Sequence, residues 1–90
     1  MDPFLLFGDL LFGAVRQINK RQLGLVGRTR LADMGITGGS REQLRLLLSE
    51  RTGAEISVEE ASRWETCQDV CVSLEACGGS PPESAEQEWS

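Results

Sequence analysis

The chain has 90 residues, of which 40% are hydrophobic and 26% charged, and its net charge is -5. A chain this short forms one core, so we expect a single small domain. Its acidic balance and scattered basic residues exclude nucleic acid as a partner, because phosphate binding needs clustered Lys and Arg. The sequence contains no histidine, the commonest general base and metal ligand. We therefore expect neither an enzyme nor a metal site.

The first predicted element is a helix over about residues 3–20. Asp2 can cap it, and Pro3 suits its first turn because proline lacks an N–H that the helix could use there. Apolar residues recur along it at roughly helical spacing: Phe4, Leu5, Phe7, Leu11, Phe12, Val15 and Ile18. The three phenylalanines and the leucines near them exceed what one helix face needs to bury, so core packing and a partner-covered face both stay open.

Three kinds of contact would cover an exposed face of this first helix. They are a homodimer through the helix, docking to a large synthase, and adsorption to a membrane. An interfacial helix generally has more Lys and Arg on its polar face, which argues against the membrane. The first residues also lack a charged start and a cleavage site, and Asp9 interrupts their apolar run. We therefore expect a cytoplasmic protein without a spanning helix.

Residues 21–39 contain five glycines and no sustained helical period, which predicts a long connection. Its apolar residues are expected to hold it against the core. Connections of this length are uncommon in small domains unless they have a function. The apolar residues are Leu23, Leu25, Val26, Leu31, Met34 and Ile36.

A second helix is predicted from near Ser40 to the residue before Gly53, where glycine can adopt the left-handed cap conformation. Ser40 and Gln43 have the spacing of a capping box, in which the serine would be the N-cap. Its apolar face is formed by leucines, with Leu46 beside them. These leucines are Leu44, Leu47 and Leu48.

A short third helix and a longer fourth helix follow, each introduced by a capping-box spacing. Ser57 and Glu60 open a short third helix that includes Ala61 and Trp64, and Thr66 opens the fourth. We expect Trp64 to pack in the core, and we expect Cys67 and Cys71 to be reduced, buried thiols. Along the fourth helix, buried positions should be Cys67, Val70, Cys71 and Leu74.

The predicted architecture is all-α, with three longer helices, a short third helix and a long first loop. Residues 1–76 form the helical domain, and residues 77–90, which are rich in Gly, Ser, Pro and Glu, are predicted to be a disordered acidic tail. Trp89 in that tail is either a short binding motif or a solvated residue.

Two stretches resemble the acyl and peptidyl carrier proteins. TRLADMGIT (29–37) is similar to the family's loop motif T-x-L-x-D-L-G-x-D-S-L, and GAEISVEE (53–60) matches its G-x-x-I-x-x-E-E. The agreement runs without a gap from about Leu31 to Leu74, roughly half of the chain. The resemblance implies a four-helix carrier-type bundle, whose members hold phosphopantetheine on the serine of D-S-L.

The chain departs from the family at that serine. In the ungapped register D-S-L falls on Thr37, Gly38 and Gly39, so glycine replaces the serine and offers no hydroxyl. Ser40 lies two residues further on, a rotation of about 200° around a helix. Ser40 is thus either a plain N-cap or an alternative attachment site for phosphopantetheine.

The main functional hypothesis is a noncatalytic binding or scaffolding module for enzymes of fatty-acid, polyketide or nonribosomal-peptide biosynthesis, with no cofactor. The alternatives are a working carrier with phosphopantetheine on Ser40 and a helical adaptor unrelated to biosynthesis. The second helix is rich in arginine where carriers are commonly acidic, and the acidic residues lie later, around the third helix. The predicted partner-binding residues are Thr37, Gly38, Gly39, Ser40, Arg41, Arg45 and Ile56.

Overall fold

The structure is a computed structural model that describes residues 2–21, 24 and 26–80. Over these residues the chain is all-helical and forms no strand, as the sequence predicts. Four helices, α1 Pro3–Ile18, α2 Gly39–Thr52, α3 Val58–Ser62 and α4 Cys67–Ala76, follow one another, and a 3-10 helix, Ala32–Met34, lies between α1 and α2. Helix α1 packs against both α4 and α2, and α3 packs against α2.

Helix α1 begins as predicted and ends two residues early. Asp2 Oδ1 accepts a hydrogen bond from the Phe4 amide at 3.0 Å, and Pro3 is in the first turn. The helix stops at Ile18 because Asn19 takes an extended conformation, and its side-chain Nδ2 donates to the Met34 carbonyl at 2.8 Å. The end of α1 therefore also holds the following connection.

The connection between α1 and α2 is anchored mainly by its second half. Leu31, Met34 and Ile36 are buried in the core, which confirms their predicted role. The prediction for Val26 is wrong, because its side chain is 55% exposed. Leu23 and Leu25 lie outside the described residues.

A short antiparallel bridge ties this connection to the start of α4. The Leu31 amide donates to the Glu65 carbonyl at 2.9 Å, and the Cys67 amide donates to the Thr29 carbonyl at 3.0 Å. The bridge satisfies backbone groups that a long loop would otherwise leave unpaired. It also positions the loop that leads to α2.

Helix α4 matches the prediction in its start and its buried face. Thr66 Oγ1 accepts from the Asp69 amide at 3.3 Å and Asp69 Oδ2 accepts from the Thr66 amide at 3.1 Å, a complete capping box. Cys67, Cys71 and their neighbours on this face are buried. Burial raises the pKa of Cys67 to about 11 and that of Cys71 to about 12, so both thiols stay protonated near neutral pH.

Trp64 joins α3 to α4 through the core, which confirms its predicted packing role. Its predicted place inside the third helix is wrong, because α3 ends at Ser62. The Trp64 side chain is 1% exposed. The indole Nε1 donates to Ser73 Oγ at 2.8 Å, and Ser73 Oγ donates to Glu60 Oε2 at 2.6 Å. The chain of hydrogen bonds pairs the only polar atom of a buried indole and ends at a carboxylate on α3.

The described part of the predicted tail, residues 77–80, is hydrogen bonded to the bundle. The Gly79 amide donates to the Leu74 carbonyl at 2.8 Å, and the Ser80 amide donates to the Thr52 carbonyl at 3.0 Å. The rest of the predicted tail, including Trp89, lies outside the described residues.

Among the described helices, none is both long enough and apolar enough to cross a membrane.

Candidate functional site

The candidate site is the entrance to α2, which we define as residues 37–40. The Ser40 amide donates to the Thr37 carbonyl at 2.9 Å, closing a four-residue turn. Gly38, at the second position of this turn, has φ 50° and ψ -118°. These angles are typical of a type II′ turn, whose second residue is usually glycine because side chains disfavour positive φ.

Ser40 does not cap α2, so the predicted Ser40–Gln43 capping box is wrong. The helix begins at Gly39 with Gly38 as its N-cap, and no side chain makes the cap hydrogen bond. The reason is the turn itself, which directs the Arg41 amide to the Gly38 carbonyl at 3.1 Å. Ser40 therefore lies in the first turn of the helix, half-buried.

The entrance is open and has little side-chain cover at its two glycines. Thr37, Gly38 and Gly39 are all exposed. A Cβ built on Gly38 or Gly39 would meet no atom within 4 Å. A side chain at position 38 would therefore clash with no neighbouring residue. Glycine is favoured there because the backbone has a positive φ, which residues with a side chain rarely adopt.

Arg41, a predicted partner-binding residue, bridges α2 to the end of α3. Its Nη1 donates to the Ala61 carbonyl at 2.7 Å and to the Trp64 carbonyl at 2.6 Å. Hydrogen bonds from a charged donor are shorter and stronger than neutral ones. The guanidinium group therefore holds α3 in place beside the entrance.

Arg45, one turn later, holds the connection between α2 and α3. Its Nη1 donates to the Ile56 carbonyl at 2.8 Å, and its other nitrogens bind the Glu42 carboxylate. The hydrogen bond from Arg45 lowers the pKa of Glu42. The ion pair with Glu42 neutralises part of the positive charge of α2, which the sequence had predicted to be available to a partner.

The predicted site residues thus separate into three groups. Residues 37–40 form the entrance, which is exposed at all but the half-buried Ser40, and Arg41 and Arg45 bridge helices. Ile56 lies in the core with 4% of its side chain exposed, which corrects its prediction as a contact residue. Sequence reasoning missed both arginine bridges, since their acceptors lie 11 to 23 residues away along the chain.

A second surface lies around α3 and is acidic. Glu55, Glu59 and Glu65 are exposed there. Val58, the first residue of α3, is 62% exposed. We call these four residues the α3 surface; it combines three carboxylates with one apolar side chain, and Arg63, which is also exposed, lies next to α3 in the chain.

Gly38→Ala is expected to lower the free energy of unfolding by about 1–3 kcal/mol, because alanine is strained at positive φ. Gly39→Ala is the matched control. It adds the same methyl group in equally open space at the first helical residue, so we expect about 0.4–1 kcal/mol of stabilisation. Urea unfolding followed by circular dichroism measures both. Equal stability of Gly38→Ala and the unchanged chain would contradict the turn described here.

No group of three or more His, Cys, Asp or Glu within residues 2–21, 24 and 26–80 is placed to hold a metal ion. Comparison of the chain with protein families, curated proteins and solved structures gives no match.

Proposed function

We propose that this chain is a noncatalytic, carrier-like interaction module that binds biosynthetic enzymes of the fatty-acid, polyketide or nonribosomal-peptide type without holding phosphopantetheine. The observation that supports it best is Gly38. The carrier-type register puts the attachment serine at this position, and the backbone there has φ 50°, which favours glycine over any residue with a side chain. Within the proposal, the module works in the cytoplasm.

The connection before α2 supports a carrier-like arrangement over an unrelated adaptor. An adaptor that shares only four helices has no need to pack Leu31 and Ile36 in the carrier manner. Both side chains have 0% exposure, and the Ile36 amide donates to the Leu31 carbonyl at 2.9 Å. The loop is therefore packed into the core of the domain, and it ends at the open entrance.

The proposed contact surface combines the entrance with the α3 surface. The entrance offers backbone groups without bulky side chains at Gly38 and Gly39. The α3 surface adds exposed carboxylates, which steer a basic partner toward the module. Arg41 and Arg45 act by positioning α3 relative to the entrance, because their guanidinium groups are engaged with backbone carbonyls.

A second candidate function is a working carrier with phosphopantetheine on Ser40. One observation favours it: Ser40 does not serve as the N-cap, so its hydroxyl is not used to cap α2. Two observations argue against it. Ser40 is half-buried, and the exposed positions are the two glycines that precede it.

Intact-mass analysis after incubation with coenzyme A and a broad-specificity phosphopantetheinyl transferase tests these functions. Three chains are compared: the unchanged protein, Ser40→Ala, and a triple variant with Thr37→Asp, Gly38→Ser and Gly39→Leu. The triple variant restores the D-S-L motif in the carrier register. We expect it alone to gain the mass of phosphopantetheine.

Each other result has a defined meaning. Modification of the unchanged chain that disappears in Ser40→Ala would replace the proposal with the working-carrier function. A triple variant that is folded by circular dichroism but unmodified would contradict the carrier-like arrangement. The strain at position 38 lowers the stability of the triple variant, so folding is checked in the reaction buffer.

A further inference from the structure

The outward face of α1 has a notch beside an aromatic side chain. Leu5, Gly8, Asp9, Phe12 and Arg16 recur every three to four residues and so share one helix face. Leu5 is 70% exposed. A cavity of about 390 Å³ is lined by Gly8, Leu5, Asp9 and Phe12 of this face together with Phe4 and Gly24. The Phe4 ring borders it at Gly8, 3.6 Å from where a Cβ would lie. We call this cavity the α1 notch.

Phe12 projects beside the notch instead of joining the core. It is half-buried and lies outside the cluster of core side chains. The Arg16 guanidinium carbon lies 5.7 Å from the centre of the Phe12 ring, a cation–π contact. One helix face therefore presents both a cavity and an aromatic side chain of suitable size to enter it.

A second copy of the chain, packed antiparallel on this face, would satisfy both features at once. Gly8 and Phe12 are four residues, or about 6 Å, apart along the helix. A two-fold axis at the level of Leu10 places Phe12 of each copy over Gly8 of the other. Such an interface is self-complementary, as a two-fold dimer requires, and glycine permits close helix approach.

Charge also favours a second copy in this register. Two Asp9 side chains would lie near the two-fold axis and repel each other. The Arg16 guanidinium of each copy lies over the Phe12 ring of the same copy. When that ring lies against Gly8 of the other copy, the guanidinium is therefore close to Asp9 of the other copy. The two Asp9–Arg16 contacts offset the repulsion between the carboxylates.

We propose that the chain forms an antiparallel homodimer through α1, in which Phe12 of each copy fills the α1 notch of the other and Arg16 pairs with Asp9. The interface is independent of the entrance to α2, so its failure would leave the proposed binding function untouched. One helix face is small compared with standard interfaces, so the dimer is weak and concentration-dependent.

Sedimentation equilibrium of the full chain between about 10 µM and 1 mM tests this, since a small interface gives affinities in that range. We expect the mean mass to rise toward the dimer with concentration. Gly8→Leu fills the notch while its Cβ meets the Phe4 ring at an ordinary 3.6 Å, so it should keep the fold and remain monomeric. Phe12→Ala should also be monomeric.

Leu46→Ala is the matched control, because it removes an exposed leucine, 53% exposed, from α2. It should dimerise like the unchanged chain. The charge register is tested by Asp9→Arg and Arg16→Glu, each of which should weaken the dimer at least tenfold, while the double variant should regain part of the affinity.

A chain that stays monomeric throughout overturns the proposal. A dimer that survives Gly8→Leu, or that weakens equally in Leu46→Ala, overturns the α1 interface. No recovery in the charge-swapped double variant overturns the antiparallel register.

Discussion

Trp64→Ala is expected to lower the free energy of unfolding by about 3–5 kcal/mol, the range for removing a large buried aromatic side chain. Trp64 is 1% exposed and sits where α3 meets α4. Its removal leaves a cavity and takes the indole donor away from Ser73. The loss should appear in urea unfolding followed by far-ultraviolet circular dichroism, a signal that does not depend on tryptophan.

Trp64→Phe separates the packing effect from the hydrogen bond. Phenylalanine keeps most of the apolar volume but lacks the N–H, while Ser73 still donates to Glu60. We expect a smaller loss, in which the hydrogen bond accounts for about 0.5–1.5 kcal/mol. A loss of under about 1 kcal/mol in Trp64→Ala would contradict a core position for this side chain.

The Trp64 position also affects the proposed contact surface. The Trp64 carbonyl accepts a hydrogen bond from Arg41 at 2.6 Å, so the residue links the core to the helix that begins at the entrance. A shift of Trp64 would therefore move the α3 surface relative to residues 37–40. We expect partner binding to fall in folded Trp64 variants even though the indole is buried.

Ile56→Ala is expected to cost about 2–5 kcal/mol of stability, because truncating a buried aliphatic side chain leaves an unfilled space. Ile56 is 4% exposed and belongs to the core cluster. Its carbonyl is the acceptor for Arg45, a backbone contact that the substitution leaves in place. The measurement is the midpoint and slope of urea unfolding, compared at equal protein concentration.

Two leucines of α2 serve as graded controls for Ile56→Ala. Leu47 is half-buried against the core, so Leu47→Ala should lower the free energy of unfolding less than Ile56→Ala does. Leu46 is 53% exposed, and its truncation should change stability by no more than about 0.5 kcal/mol. If Ile56→Ala were as mild as Leu46→Ala, Ile56 would be a surface residue and its role as a partner contact would return.

Helix boundaries in this chain were predictable wherever the deciding contact is local. Asp2 with Pro3 and Thr66 with Asp69 place a capping side chain within three residues of its acceptor amide, so the spacing alone identifies them. Gly53 ends α2 in the left-handed conformation for the same reason. The i, i+3, i+4, i+7 series in α4 likewise identified its buried face.

The entrance to α2 was predictable in place but not in conformation. Gly38, Gly39 and Ser40 all favour a helix start, and Ser40 is the better cap by propensity alone. The turn through Gly38 prevails because the Ser40 amide is already bonded to the Thr37 carbonyl. A choice between two adjacent starts depends on how the preceding loop packs, which the residue pattern does not specify.

By itself, the sequence determined the number and order of the helices, most of their ends and most of the core, because each depends on periodicity or on contacts within four residues. The roles of Arg41 and Arg45, and the position of Phe12 beside a notch, became visible only in the folded structure. These outcomes depend on which surfaces meet when α1, α2, α3 and α4 pack, and groups more than ten residues apart meet only then.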